Sequence, residues 1–492
     1  MLKLVVAAVF VLFFARIVLT ASWNLFFHPL RHLPGPKLWI AFPFLRHLAG
    51  IRGTFDKRMR EFHNKYGEVV RFTPHEVSFI TAQAWRDIYG HGHRQLPKAL
   101  NSGSNTSDIL SANDADHSRY RKSLSHAFSA KGLQAQEPIL MAYVDKLIER
   151  LKGVAESNTP ANMARWYNLA TFDLIGDLAF GEPFGGLDSS AFHHWISAIF
   201  EFVRVVPFIR AKDNYPLLVS LFLASMPSSF IETQKKQREY ARITVQKRLD
   251  NTDLHGRGDF MDSMLRHRGK ENGLSDNELV ANANILIIAG SETSASLLSG
   301  VTYWLLRTPE TLKKVTAEVR STLQSEADIT FQNVSTKLPY MLACINEAFR
   351  LYPPVPGGLQ RVTLPSAPTR ISGYEVPPNT RVSVHHSAAY WSPINFHDPK
   401  LFAPDRWLPE ARDDPSSLFY YDNRDVVQPF STGPRNCIGM NLAHSEIRLI
   451  LARVLWNFDL ELCDESRAWD DQKIFGLWEK QPLMCALARR RE

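Results

Sequence analysis

Apolar residues crowd the start of this chain and then spread into a helical rhythm. Leu4 to Ala15 is an uncharged apolar run, and after Arg16 it resumes through Ile17, Val18 and Leu19 to Trp23, Leu25, Phe26 and Phe27. A helix that crosses a bilayer needs about 20 mostly apolar residues, so residues 1–27 read as a membrane anchor. Arg16 is its weak point, since a charge at the helix centre costs about 2.5–3.5 kcal/mol on insertion scales. A cleaved signal peptide is the alternative, because Lys3 followed by a short apolar run fits that pattern too. The anchor is preferred. Trp23, Phe26 and Phe27 fall where an interfacial aromatic belt sits, and Arg31, Lys37 and Arg46 outnumber Lys3, which places the body in the cytosol. His32-Leu-Pro-Gly-Pro-Lys37 follows, and Pro34 and Pro36 cannot continue a helix. Residues 28–37 therefore read as a stiff proline-rich hinge and residues 38–492 as the body.

Helical patterns dominate the body from about Thr54 onward, for example over Glu137–Val154, Trp166–Phe180 and Met440–Phe458. Short β patterns bounded by Gly and Pro occur at Val69–Phe72, Val77–Ile80, Thr369–Val376 and Arg381–Val384. The fold class is mainly α with small β-sheets. The longest predicted helix begins after Ser275, which forms an S-x-x-E capping box with Glu278, and it ends before Pro309. Residues 276–307 would extend about 48 Å, enough to cross the core of a large domain. Its middle reads Ala289-Gly290-Ser291-Glu292-Thr293. Gly inside a helix costs about 1 kcal/mol against Ala, which invites a functional reason.

Composition narrows the classes. The chain has 492 residues, 45% hydrophobic and 22% charged, which is globular. Four cysteines give no disulfide framework and suggest a reducing compartment. A net charge of +7 is mild, and without a basic run interleaved with aromatics nucleic-acid binding has no support. It would favour docking of an acidic partner. Sequons stand at Asn105 and Asn333 and would be silent in the cytosol.

Residues 430–439, Phe-Ser-Thr-Gly-Pro-Arg-Asn-Cys-Ile-Gly, carry the chemistry. Cys437 lies in a Gly- and Pro-rich loop just before a predicted helix. A helix N-terminus and backbone N–H groups both stabilise a thiolate. Cys344, Cys463 and Cys485 have no such setting and read as small buried apolar residues. The F-x-x-G-x-R-x-C-x-G pattern resembles the haem-binding signature of the cytochrome P-450 family of haem-thiolate monooxygenases. The resemblance runs from about Pro34 to the C-terminus and implies that family's fold, preceded by the transmembrane helix. It makes Cys437 the axial ligand of a haem b iron, whose thiolate favours O–O cleavage. It implies that Phe430 packs on the cysteine and the haem, that Gly433 and Gly439 allow a tight turn and close approach, and that Arg435 pairs with a haem propionate.

Further motifs match in order. The family pattern A/G-G-x-D/E-T is intact, so Ala289 and Gly290 would leave room for dioxygen over the haem. Glu292 and Thr293 would be the acid–alcohol pair that delivers protons during dioxygen cleavage. Glu347-x-x-Arg350 puts both side chains on one helix face, and with Arg406 the resemblance makes them a buried network that holds the cysteine loop. Arg361, and Arg121 with His117 one turn before it, match propionate-binding positions. His117 stands where most members carry Trp, a tolerable departure because an imidazole N–H also donates to a carboxylate.

The resemblance places substrate contacts at 100–112, 200–206, 285–289, 355–359 and 475–478. These are largely apolar, with Ile109, Leu286, Val355, Leu477 and Trp478, and suit a lipophilic small molecule. The phrases around Pro353 and Cys437 look most like filamentous-fungal members, many of which tailor terpenes, polyketides or alkaloids. The reading is a membrane-anchored monooxygenase of the endoplasmic reticulum, single-pass, taking electrons from NADPH through a cytochrome reductase. It would use dioxygen for hydroxylation or epoxidation. A haem-thiolate enzyme of desaturation, rearrangement or multi-step oxidation is one alternative, and a non-catalytic haem- or lipid-binding membrane protein is another.

Overall fold

The computed structural model describes residues 1–99, 107–191, 194–212, 214–226, 228–250, 256–266, 268–270 and 273–490. Asn105, His193 and the first part of the 100–112 region lie outside them. The first helix, α1 (Leu2–Ser22), runs on through a π-helical turn, Trp23–Phe27. Together they make an apolar span of 26 residues whose most hydropathic window is uncovered by the rest of the chain. The segment after it is docked. Leu30 and Leu33 are buried in the core beside the small sheet, and the Arg71 N–H donates to the Pro34 carbonyl at 2.8 Å. The helix ends at Phe27, ahead of Pro34 and Pro36; Pro29 opens a short 3-10 turn over Pro29–His32, and the chain then locks onto the body.

The four-stranded sheet comprises β1 (Val69–Thr73), β2 (Glu76–Phe79), β3 (Arg361–Val362) and β4 (Arg381–Val384), in the order β1-β2-β4-β3. β1 and β2 form a hairpin with Val69 opposite Phe79, and β2 pairs in parallel with β4. The single β pattern expected over Thr369–Val376 is a hairpin instead. Strands Thr369–Ile371 and Tyr374–Val376 turn at Ser372 and Gly373, whose φ angles of 51° and 84° are left-handed. A third sheet joins Ala161–Asn162, Met484–Arg489 and Phe458–Leu462.

Helices make the rest. Those that position the site are α2 (Asp114–Leu124), α3 (Met163–Phe180), α4 (Asp276–Arg307), α5 (Pro339–Leu351) and α6 (Met440–Asn457). α4 has the bounds its caps predict, with both hydrogen bonds of the Ser275–Glu278 box formed. Glu278 also accepts from Arg119 and Tyr120, and the Arg119 bonds lead in holding its carboxyl down at about 2. That carboxylate ties the start of α4 to α2. Along its middle α4 is buried on nearly every face, so it is a core helix despite its apolar length. α3 crosses it closely. A Cβ on Gly290 would lie 2.8 Å from the Ile175 Cδ1 atom, so a larger residue there would push the Ile175 side chain aside where α3 packs on α4.

Candidate active site

The loop before α6 is shaped by its backbone. Gly433 has φ 78°, and a Cβ there would lie 1.7 Å from the Tyr89 carbonyl oxygen, so only glycine fits. The Cys437 N–H donates to the Phe430 carbonyl at 2.8 Å and closes the turn. Gly439 has an ordinary backbone, contrary to the expected tight-turn role. A Cβ there would sit 3.9 Å from the Cys437 Sγ, so its smallness keeps space clear beside the sulfur. The Phe430 ring meets Phe349 of α5 edge-on at 5.2 Å between centroids.

Cys437 opens into an apolar cavity. α4 contributes Leu286, Ala289, Gly290, Thr293 and Ser294 to its wall, and Phe128, Ile175, Phe260 and Val355 complete much of the rest. The sulfur is exposed only in this sense. Burial pushes its thiol pKa up, and the Gly439 N–H and Arg121 offset this only in part. Among the other cysteines, Cys344 and Cys485 are buried and Cys463 is half-buried.

Cations gather at one rim. Arg121 braces the loop, donating to the Asn436 carbonyl at 2.7 Å and to its side-chain oxygen at 2.6 Å. Arg435 reaches Asp114 at 2.6 Å and the Ala112 carbonyl at 2.9 Å. Its Nη1 is buried without a partner among the described residues. Arg361 is buried with its guanidinium 5.7 Å from the Tyr89 ring centre. His117 is also buried, and burial, then Arg435, Lys98 and Arg121, push it down to about 4. Lys98, which the motifs did not mark, is pushed down to about 7 by burial, Arg435 and Arg361. Asp108 and Asp114 are the carboxylates acting on this lysine, and two acids do not balance the cluster. An apolar chamber, an open sulfur and desolvated cations at one edge fit a flat apolar ring bearing carboxylates, which is haem.

On α4 the consecutive residues Glu292 and Thr293 face different ways. The Thr293 hydroxyl lies on the cavity wall and donates to the Ala289 carbonyl at 2.6 Å, one turn back. Glu292 points into the core, where Lys480 Nζ approaches it at 2.5 Å and also contacts Ser296 at 3.0 Å. Burial pushes the Glu292 carboxyl up, and Lys480 and Ser296 pull it back. Lys480 comes from the C-terminal loop, 188 residues away, and no spacing in the chain points to it. Glu446 on α6 was missed as well. It is buried on the cavity wall beside Ser294, and burial pushes it up to about 8. Its signal was an acid amid the apolar face of Leu442, Ile447 and Ile450.

Beneath the loop, Glu347, Arg350 and Arg406 are fully buried together. Glu347 meets Arg350 at 2.7 and 2.9 Å and Arg406 at 3.0 Å, and it accepts from the Trp407 indole N–H at 2.9 Å. Burial pushes Glu347 up, but the two guanidiniums and the Ala403 N–H outweigh it and leave the carboxyl below its usual range. Arg406 also pairs with buried Asp422. Arg350 donates to the Tyr390, Pro399 and Leu401 carbonyls, which pins the chain leading to the loop.

Of the expected site residues, the structure brings Cys437, Phe430, Gly439, Arg435, Ala289, Gly290 and Thr293 to one cavity. His117 and Arg121 border an adjoining cleft. Trp478 does not reach the cavity. It stacks on Tyr352 at 4.2 Å and donates to the Pro353 carbonyl, because its indole finds an aromatic partner in the core.

The cytochrome P450 family model matches residues 33–486. The chain is 59% identical over 476 residues to cytochrome P450 monooxygenase olcB of Penicillium canescens, covering 97% of each chain. It is 58% identical over 476 residues to the trichothecene C-4 hydroxylase of Trichoderma arundinaceum, covering 97% of this chain and 95% of that one. It is 39% identical over 485 residues to the trichothecene C-15 hydroxylase of Fusarium sporotrichioides, covering 97% and 96%.

Proposed function

Because the chain belongs to the cytochrome P450 family, we propose that it is a haem-thiolate monooxygenase whose axial ligand is Cys437. The observation that carries the assignment is one cavity walled by the Cys437 sulfur and by the Thr293 hydroxyl of α4. Haem, when bound there through the thiolate, supplies the electron push that cleaves dioxygen and inserts one atom into a substrate. Arg435, Arg361, Arg121, His117 and Lys98 would hold its carboxylates at the cation-rich rim. Phe430, on the same wall, would pack against it, and Gly439 would leave space clear beside the sulfur.

The chain's own residues manage protons and water. Glu292 holds a proton on the core side of α4, in reach of Lys480, and Thr293 offers its hydroxyl on the cavity side. Rotation of the Glu292 side chain carries the proton from one face to the other. Phe128, Phe260 and Leu286 keep the chamber apolar, so protons arrive by this relay and not through open water. The substrate is a lipophilic small molecule of fungal secondary metabolism, in keeping with relatives named as trichothecene hydroxylases. Electrons come from NADPH through a cytochrome reductase. The anchor holds the protein in the endoplasmic reticulum membrane as a single pass with the body in the cytosol.

Reconstitution with a fungal reductase and NADPH tests the relay. Thr293→Ala is expected to keep its haem while most of the NADPH consumed appears as hydrogen peroxide. Unchanged coupling of NADPH to product would remove Thr293 from proton delivery.

A further inference from the structure

One buried side chain that the relay does not use joins α4 to the segment 107–112. Asn282 stands one turn beyond Glu278 and is fully buried. Its carboxamide accepts from the Ile109 N–H at 2.9 Å and donates to the Ser107 carbonyl at 3.1 Å. It donates also to the Glu278 carbonyl at 2.8 Å, one turn back on α4. Asparagine carries a donor and an acceptor on one planar group, so it meets residues 107 and 109 as the edge of a neighbouring strand would.

That pairing bears on which side chain of the segment faces the Cys437 cavity. Ile109, expected on its wall, packs on the core with Leu279 and Ala283 instead. Leu110 takes the wall position. It is 59% exposed, whereas Phe128, Phe260 and Leu286 of the same wall are buried. A side chain so little covered is not held by its own packing, so its place is set by the backbone that carries it. The Asp108 carboxylate folds that backbone, accepting from the Leu110 N–H at 2.9 Å and the Ser111 N–H at 3.0 Å, and Lys98 donates to the Leu110 carbonyl. Asn282 ties the folded turn to α4.

We propose that Asn282 is a positioning residue for substrate selection: by clamping Ser107 and Ile109 it sets Leu110 against the lipophilic substrate and so sets how large a molecule the chamber grips. Asn282 is not on the cavity wall, and its effect on binding runs through Leu110. The inference rests on the monooxygenase reading and adds to it a residue that selects substrates without touching them. Asn282→Ser isolates the clamp. Ser291 and Ser299 of the same helix donate to carbonyls one turn back, so a serine at 282 keeps a donor for the Glu278 carbonyl and loses the two bonds to the segment.

Imidazole and clotrimazole both ligate haem iron through a ring nitrogen, and their binding to the purified ferric holoenzyme is read from the Soret shift. Imidazole is too small to reach the wall, whereas the three aromatic rings of clotrimazole fill the chamber. Asn282→Ser is expected to weaken clotrimazole about fivefold or more, the scale of coupling between residues in contact, and to leave imidazole within about twofold. In a Leu110→Ala background the same substitution should cost clotrimazole less than about twofold. Hydrogen exchange should quicken in the 107–112 amides of Asn282→Ser while the amides of α4 keep their protection. Equal loss for both ligands, unchanged clotrimazole binding, a full loss that persists beside Leu110→Ala, or unchanged exchange in 107–112 each overturns the proposal. The reduced carbon monoxide spectrum separates the two readings. If it stays thiolate-type while the ligand selectivity does not move, only the clamp fails.

Discussion

Side chains with local signatures announced their work, and those whose partners lie far along the chain did not. Cys437 stands in a loop with fixed neighbours, and the Thr293 bond to the carbonyl one turn back follows from helix geometry. Lys480 belongs to a loop that reads as an ordinary C-terminal tail, and only the fold sets it against Glu292. Glu446 gives the clearest consequence at this scale. Its carboxyl rises from 4.5 to about 8 on folding, through burial, with Ser294 opposing. A raised acid binds its proton more tightly in the folded state. Its stabilising contribution is therefore full below pH 4.5 and is lost as pH climbs toward 8, at up to about 1.4 kcal/mol per unit. Thermal unfolding of wild type and Glu446→Gln across that window should show the wild type losing stability more steeply. Parallel slopes would mean that Glu446 does not carry the proton.

Elements were legible where their signals are local. The capping box and Pro309 bound α4 to the residue, because both act within one turn. The Thr369–Val376 hairpin was missed because a Ser-Gly turn with left-handed backbone hid inside a β pattern. The E-x-x-R spacing on α5 predicted one ion pair, while Asp422 and Trp407 joined the network only through folding of the 403–422 segment. That network is the part of the scaffold most open to test. Arg406→Met would leave Asp422 buried without its cation and Glu347 one partner short, a cost of about 3–5 kcal/mol. Denaturant unfolding should register that loss together with a fall in retained haem. A loss under about 1 kcal/mol would show the network to be dispensable.

The whole molecule is a body on an apolar stalk. The N-terminal run Leu2–Phe27 is apolar and largely uncovered, and its apolar length was open in the chain from the start. What the chain could not show was how firmly 28–37 seats on the body through Leu30 and Leu33. Deleting residues 1–27 should move the protein from the microsomal to the soluble fraction while the docked segment keeps the body folded. Retention of the truncated protein on membranes would show that α1 is not the main anchor. Nor could the pattern of residues reveal which apolar side chains line the cavity and which fill the core, since both look alike until α3, α4 and α6 are packed.

The account turns on one bond, from the Cys437 sulfur to haem iron. Reduced holoenzyme exposed to carbon monoxide reports it directly. Thiolate ligation by Cys437 predicts the red-shifted Soret band of the haem-thiolate class, lost in Cys437→Ser. A Soret band of the ordinary histidine type in the wild type, or an unchanged red-shifted band in Cys437→Ser, would contradict it.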